Sequence, residues 1–137
     1  MKKAMSPYFD FAASRFVGFT ALCGIRLETL EPGFCRCVMD LDEKHLNPQG
    51  ALHGGAVAAL MDVCAGTAAI FNGDKPRMAV TRSANVHYLR AGRKGPFRAE
   101  ARVIRAGRSM AYVRVEILDG EDKLCADGSF EYFYTEQ

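Results

Sequence analysis

The sequence predicts an α+β fold in which a largely antiparallel sheet wraps one long helix. Three observations carry that expectation. Residues 54–71, GGAVAALMDVCAGTAAIF, hold a single charge, Asp62, and have the composition and length of a helix. From residue 80 onward the hydrophobic period changes to two and keeps that value through four stretches. The strands follow one another while the helix stands apart, which is the order of α+β chains rather than of alternating α/β chains.

In chain order, residues 7–17 predict a short amphipathic helix with Phe9, Ala12, Ala13, Phe16 and Val17 on one side. Cys35, Cys37, Met39 and Leu41 alternate, so 34–41 is expected as a strand. Glu31-Pro32-Gly33 is a turn, and 25–30 is its hairpin partner. The stretch 47–55, NPQGALHGG, is a loop by composition and leads into the long helix, which Asn72-Gly73-Asp74 closes. Four strands follow, running over 80–89, 97–103, 111–117 and 124–132. Ala106-Gly107 and Asp119-Gly120 are short enough for hairpins. A chain of 137 residues suits a single domain spanning 1–137.

Composition narrows the function. With 49% hydrophobic and 25% charged residues the chain is an ordinary globular sequence, not a disordered one. A net charge of +2 is too small to indicate a nucleic-acid binder, and the basic stretch has no regular interleaving of aromatic residues to stack bases. Charge is nevertheless segregated: eight basic residues and one acid, Glu100, lie between Arg82 and Arg108, and seven acids and one base lie between Glu116 and Glu136. Two readings stay open, a pair of solvated faces of opposite sign or a basic surface that receives a small anion. Five cysteines without a CxxC, and His45, His53 and His87 without metal spacing, predict reduced thiols of a cytoplasmic protein with no metal site. The N-terminal MKKAMSPYFDF has no apolar run and does not read as a signal peptide. The long helix approaches the length of a membrane span, but an Asp near its centre costs about 2.5–3.5 kcal/mol there, so it is expected to be buried in protein on all sides.

That helix has two unlike sides. Val57, Leu60, Met61, Cys64, Ala68 and Phe71 form a bulky stripe. Gly55, Ala58, Ala59, Asp62, Ala65, Gly66 and Ala69 form a stripe of small residues around the one acid. An acid in such surroundings is either ion-paired, for which the sheet arginines are candidates, or used. Gly54 and Gly55 place bare N–H groups at the positive end of the helix dipole, where an oxygen gaining negative charge is stabilised. His53 before them is either a loop-supporting residue or part of the chemistry. Asp62 lies eight residues beyond Gly54, roughly 12 Å along the axis at about 1.5 Å per residue. If Gly54 and Asp62 serve one reacting carbonyl, they come from two chains of a symmetric dimer.

Asn47, His53-Gly54-Gly55 and an acid nine residues after the His resemble the hotdog-fold acyl-CoA thioesterases of the phenylacetate-degradation (PaaI) type. Val86-His87-Tyr88-Leu89-Arg90 and Gly107-Arg108 resemble them too, and the resemblance spans about residues 30–134. It implies a central helix wrapped by an antiparallel sheet, and subunits paired through a joint sheet, two such dimers making a tetramer. It implies that the Gly54 N–H polarises a thioester carbonyl and that Asp62 of the facing subunit attacks it or activates water. It further implies that Asn47 orients carbonyl or water, that Thr81 assists and that His53 supports the loop. Gly55, Arg90 and Arg108 are the expected substrate-binding residues, the arginines for coenzyme A phosphates. The abundance of Phe, Tyr and Met leads to the expectation of an aryl or medium-chain acyl-CoA substrate, and no cofactor is expected beyond the coenzyme A that the substrate itself carries. Where some relatives have Thr or Ser four residues after the acid, this chain has Gly66 followed by Thr67. Two other functions fit the same fold. A non-catalytic acyl-CoA sensor would tolerate loss of Asp62, and a hydratase or dehydratase would need a His placed as base.

Overall fold

The computed structural model describes residues 5–135. Two short helices, α1 (Phe9–Ser14) and α2 (Phe19–Cys23), precede β1 (Ile25–Glu31) and β2 (Phe34–Met39). A 3-10 turn at Glu43–His45 and a loop lead to α3 (Gly54–Ile70). The strands β3 (Ala79–Tyr88), β4 (Phe97–Ala106), β5 (Met110–Leu118) and β6 (Leu124–Tyr134) complete the chain. All six strands form one antiparallel sheet in the order β1-β2-β4-β5-β6-β3, and α3 packs on its inner face. This is the helix-on-antiparallel-sheet arrangement that the sequence predicts, the hotdog fold.

The inward residues of the strands are the ones the alternation selects. Cys35, Cys37 and Met39 of β2, Phe97, Ala99 and Ala101 of β4, Val113, Val115 and Ile117 of β5, and Ala126 and Phe130 of β6 are all buried. They meet Leu60, Met61, Cys64 and Ala68 of α3. Small inward residues on β4 and β6 let the helix lie close. Gly128 is the extreme case: a Cβ there would sit 2.5 Å from the Asn85 carbonyl oxygen and 3.1 Å from the Met61 methyl, so only glycine fits between β3 and the helix.

Four expectations are corrected. The helix expected at 7–17 ends at Ser14, because Gly18 with φ +57° turns the chain, and a second helix, ended by Gly24 with φ +76°, follows. The strand expected at 34–41 stops at Met39, because Asp42 and His45 cap the 3-10 turn. Strand β3 does not bury alternate residues. It is the sheet edge, with only Ala79 and Val86 even half-buried. Finally, α3 is not buried on all sides within this chain: Gly55 is exposed, and Ala58, Ala59, Asp62 and Gly66 stay partly open. Among the described residues no helix is long and apolar enough to cross a membrane.

Candidate active site

The start of α3 is built by the loop before it. The Asn47 side-chain oxygen accepts from the N–H groups of Gln49 and Ala51, both at 3.0 Å, so the amide NH2 is left to donate elsewhere. His53 is the helix N-cap. Its Nδ1 accepts from the Gly55 N–H at 2.8 Å, which puts the proton of a neutral ring on Nε2. The N–H groups of Ala56 and Val57 reach the His53 carbonyl at 2.9 and 3.1 Å. Gly54 alone keeps a first-turn N–H without an acceptor among the described residues. The expectation of two bare amides is therefore corrected to one, since the side chain that caps the helix consumes that of Gly55. Gly54 opens into a cleft of about 410 Å³ whose lining includes Asn47, Val57, Tyr88 and Arg90. Tyr88 donates to the Gly54 carbonyl at 3.3 Å and lays its ring against the glycine.

Asp62 lies in a different cleft, of about 330 Å³, with Gly66, Thr81 and Tyr132. No cation pairs with it among the described residues, which removes the structural ion pair as its explanation. Instead Oδ1 accepts from the Thr81 hydroxyl and from the Tyr132 hydroxyl, each at 2.8 Å. The single Tyr132 proton is shared with the Asp62 carbonyl oxygen at 3.0 Å. Burial, and then the Asp62 charge, push the Tyr132 phenol far above its ordinary value, so it stays a donor. Gly66 accounts for the departure noted in the sequence. A Cβ there would stand 3.3 Å from the Tyr132 ring, so its absence gives the ring its place. One carboxylate oxygen is thus held by two donors while Oδ2 has no partner among the described residues, an arrangement able to take a proton from water or to attack a carbonyl.

Three of the eight residues of the basic stretch meet acids of the acidic one. Arg90 Nε lies 4.0 Å from Asp119 Oδ2, Lys94 lies 3.6 Å from Glu121, and Arg98 pairs with Asp122 at 2.5 Å. Asp119 is buried. Although burial opposes its charge, the N–H groups of Lys123 and Glu121 donate to it and, with Arg90, hold its carboxyl below the ordinary range. Arg108 meets no acid among the described residues. Of the two arginines expected to bind phosphate, Arg108 is therefore free and Arg90 is partly committed, although it lines the Gly54 cleft.

All five cysteines are free thiols. The one grouping of metal-ligating atoms among the described residues is Cys35, Cys37 and Cys64, whose sulfurs lie within 4.8 Å of one another. All three side chains are wholly buried, the Cys64 thiol donates to the carbonyls of Cys35 and Ala99, and burial drives the Cys35 and Cys64 thiols well above their ordinary value. Cys35 and Cys64 pack the core as neutral thiols, while hydrogen bonds from these two neighbours hold the Cys37 thiol below its ordinary value.

Residues 49–126 match the thioesterase superfamily, and a candidate esterase of Saccharolobus solfataricus is 37% identical over 103 residues, covering 75% of this chain and 68% of its own. The chain belongs to the thioesterase superfamily. A second relative of this thioesterase-superfamily chain is the medium/long-chain acyl-CoA thioesterase YigI of Salmonella typhimurium, 31% identical over 121 residues and matched over 77% of each chain. The PaaI protein of the E. coli phenylacetic acid degradation operon superposes with a TM-score of 0.83 over 92% of this chain and 90% of its own. At 23% identity it shares the fold alone.

Two residues of this geometry escape the sequence reading, Tyr132 and Tyr88. For Tyr132 a signal existed. In the inward series Ala126, Gly128, Phe130, Tyr132 it is the one side chain with a hydroxyl, and a buried hydroxyl requires a partner. Tyr88 gave no such signal, because it sits on the exposed edge strand.

Proposed function

We propose that this chain hydrolyses acyl-CoA thioesters with aryl or medium-chain acyl groups, water and thioester giving the free acid and coenzyme A. The observation that carries the reading is the division of the machinery between two clefts: a free Gly54 N–H in one, and an Asp62 carboxylate held by two hydroxyls in the other. The roughly 12 Å of helix between them forbids joint action within one chain. The edge strand supplies the means of joining them. β3 is ten residues long with one side unpaired, and Val80 and Tyr88 are exposed along it. Such an edge is a template for pairing. An antiparallel partner copy paired about the β3 midpoint, between Ser83 and Ala84, sets Thr81 opposite Val86 and Ala79 opposite Tyr88. Thr81 holds Asp62, and Tyr88 covers Gly54. The two-fold thus brings the Asp62 half of one chain to the Gly54 half of the other.

In this site the Gly54 N–H polarises the carbonyl. Asp62 of the facing subunit attacks it or deprotonates the attacking water. The Asn47 amide donates to carbonyl or water, Thr81 and Tyr132 fix the carboxylate, and His53 maintains the N-terminal turn. With its Nδ1 occupied as N-cap, His53 is not poised as the base of a hydratase. The same two-fold moves Arg108, next to the Ala79 end of β3 through the Ser109–Tyr134 contact, toward the Tyr88–Arg90 end of the partner. There it can meet coenzyme A phosphates.

A thiol-release assay over a panel of acyl-CoA esters tests the reading. Continuous turnover on aryl and medium-chain esters is expected, and tight binding without turnover would mark a sensor. Arg108→Ala is expected to raise KM for the coenzyme A ester about tenfold and to leave a short thioester lacking the nucleotide unchanged. Equal effects on both would remove Arg108 from phosphate binding. Tyr132→Phe tests the carboxylate clamp. Loss of a hydrogen bond to a charged group predicts a kcat lower by about tenfold. A lowered melting temperature with kcat unchanged would make Tyr132 a packing residue.

A further inference from the structure

The Asp62 cleft has a wall that lies outside the segment matching the family. Ala12 of α1, Arg15 and Phe16 of the connection between the two helices, and Thr20 of α2 line the cleft together with Asp62, Gly66 and Thr67. This wall is fixed in place. Ala12 is buried in the core, the rings of Tyr8 and Phe11 pack on Phe71 at 6.2 and 5.9 Å, the Ser6 N–H bonds to the Leu30 carbonyl, and the Tyr8 hydroxyl donates to the Asp74 carbonyl.

The polar groups of the cleft divide into used and unused. The Thr67 hydroxyl donates to the Val63 carbonyl at 2.7 Å, and the hydroxyls of Thr81 and Tyr132 are taken by Asp62. Three groups have no partner among the described residues: Oδ2 of Asp62, the Thr20 hydroxyl and the Arg15 guanidinium. The first is the reactive atom of the proposed reaction. The other two come from the N-terminal wall, and Phe16, Val63, Ile70 and the bare backbone of Gly66 line the same cleft. A carboxylate, a hydrocarbon lining, and a cation with a hydroxyl in one cleft form a pattern that matches one kind of guest. Its thioester carbon is presented to Asp62, its body is apolar, and its far end carries an anionic oxygen.

We infer that α1 and α2 form the acyl-binding wall of the Asp62 cleft, and that Arg15 with Thr20 selects acyl groups ending in a carboxylate. The inference rests on the thioesterase reading above and names its substrate class. A planar guanidinium recognises a carboxylate through paired N–H donors, which a methyl terminus cannot use. The size of the discrimination follows from leaving Arg15 without its acceptor, about tenfold or more.

Adipoyl-CoA and hexanoyl-CoA are a matched pair, equal in chain length and different in the terminal carboxylate. The wild-type chain is expected to hydrolyse adipoyl-CoA with a kcat/KM at least about tenfold above that for hexanoyl-CoA. Arg15→Ala is expected to abolish the difference by lowering the adipoyl value alone, and Arg15→Lys to restore part of it. Arg15 is exposed and unpaired among the described residues, so its replacement leaves the fold intact, which an unchanged melting temperature checks. Calorimetric binding of both esters to the Asp62→Asn variant gives the same comparison without turnover. Equal kcat/KM for the two esters, or a preference that survives Arg15→Ala, overturns the inference and leaves the thioesterase reading standing. No turnover of either ester, with an Arg15-dependent preference retained in binding, overturns the thioesterase reading and leaves the cleft assignment standing. No preference in binding overturns the cleft assignment.

Discussion

Asp62→Asn is expected to lower kcat by about 100-fold or more, while KM and the melting temperature change little. General-base and nucleophilic roles are of that size. The substitution keeps the side-chain oxygen that accepts from Thr81 and Tyr132 and removes the charge and the second carboxylate oxygen. The prediction is sharp because the competing explanation of an acid on an apolar helix has a different signature. A structural ion pair would show a cation against Asp62, and removing the charge would strand that cation at a cost in stability. Among the described residues Asp62 has two hydroxyls and no cation. Steady-state kinetics on the best ester, together with a thermal melt, reads both quantities. Activity within threefold of wild type would make Asp62 a structural residue.

What the sequence conveyed and what it withheld have physical reasons. The strands β4, β5 and β6 were legible because burial on one face imposes a period of two, and the long helix because an apolar run of its length and composition with one charge suits a buried helix. Strand β3 carries the same alternation, but its position in the sheet is a matter of topology. Nothing in residues 79–88 says that they form an edge. The α1–α2 break turns on a single backbone angle, at Gly18. The site was legible where its parts are local: the glycine at the helix start, its cap and the acid nine residues later all lie within ten positions. Tyr132 is 70 residues from the carboxylate it holds, and only the β3–β6 pairing that aligns Thr81 with Tyr132 brings both hydroxyls to Asp62. The contact between Arg90 and Asp119 was hidden for a similar reason, since Asp119 lies 29 positions away and reaches Arg90 through the β5–β6 turn. The amide of Gly55 was counted as free because a sequence shows that a helix begins at His53-Gly54-Gly55, not which N–H its cap will take.

The central claim is that each reacting centre is built from two chains, with Gly54 of one and Asp62 of the other. Complementation between two inactive variants tests it most directly. One carries Asp62→Asn. The other carries Gly54→Pro, which deletes a single N–H. The site is suited to that change: Gly54 is the first residue of α3, where proline is favoured, and His53 before it is extended at φ −61° and ψ 139°, as a residue preceding proline prefers. Each homodimer is expected to be inactive. In a mixed dimer one site combines both lesions and the other combines neither. Random mixing of equal amounts gives about half heterodimers with one intact site each, so about a quarter of wild-type activity should return. Mass spectrometry of the mixture establishes that heterodimers have formed, and a thermal melt that the proline variant is folded. Recovery near a quarter is the predicted result, and no recovery under those conditions would show that each chain builds its own site.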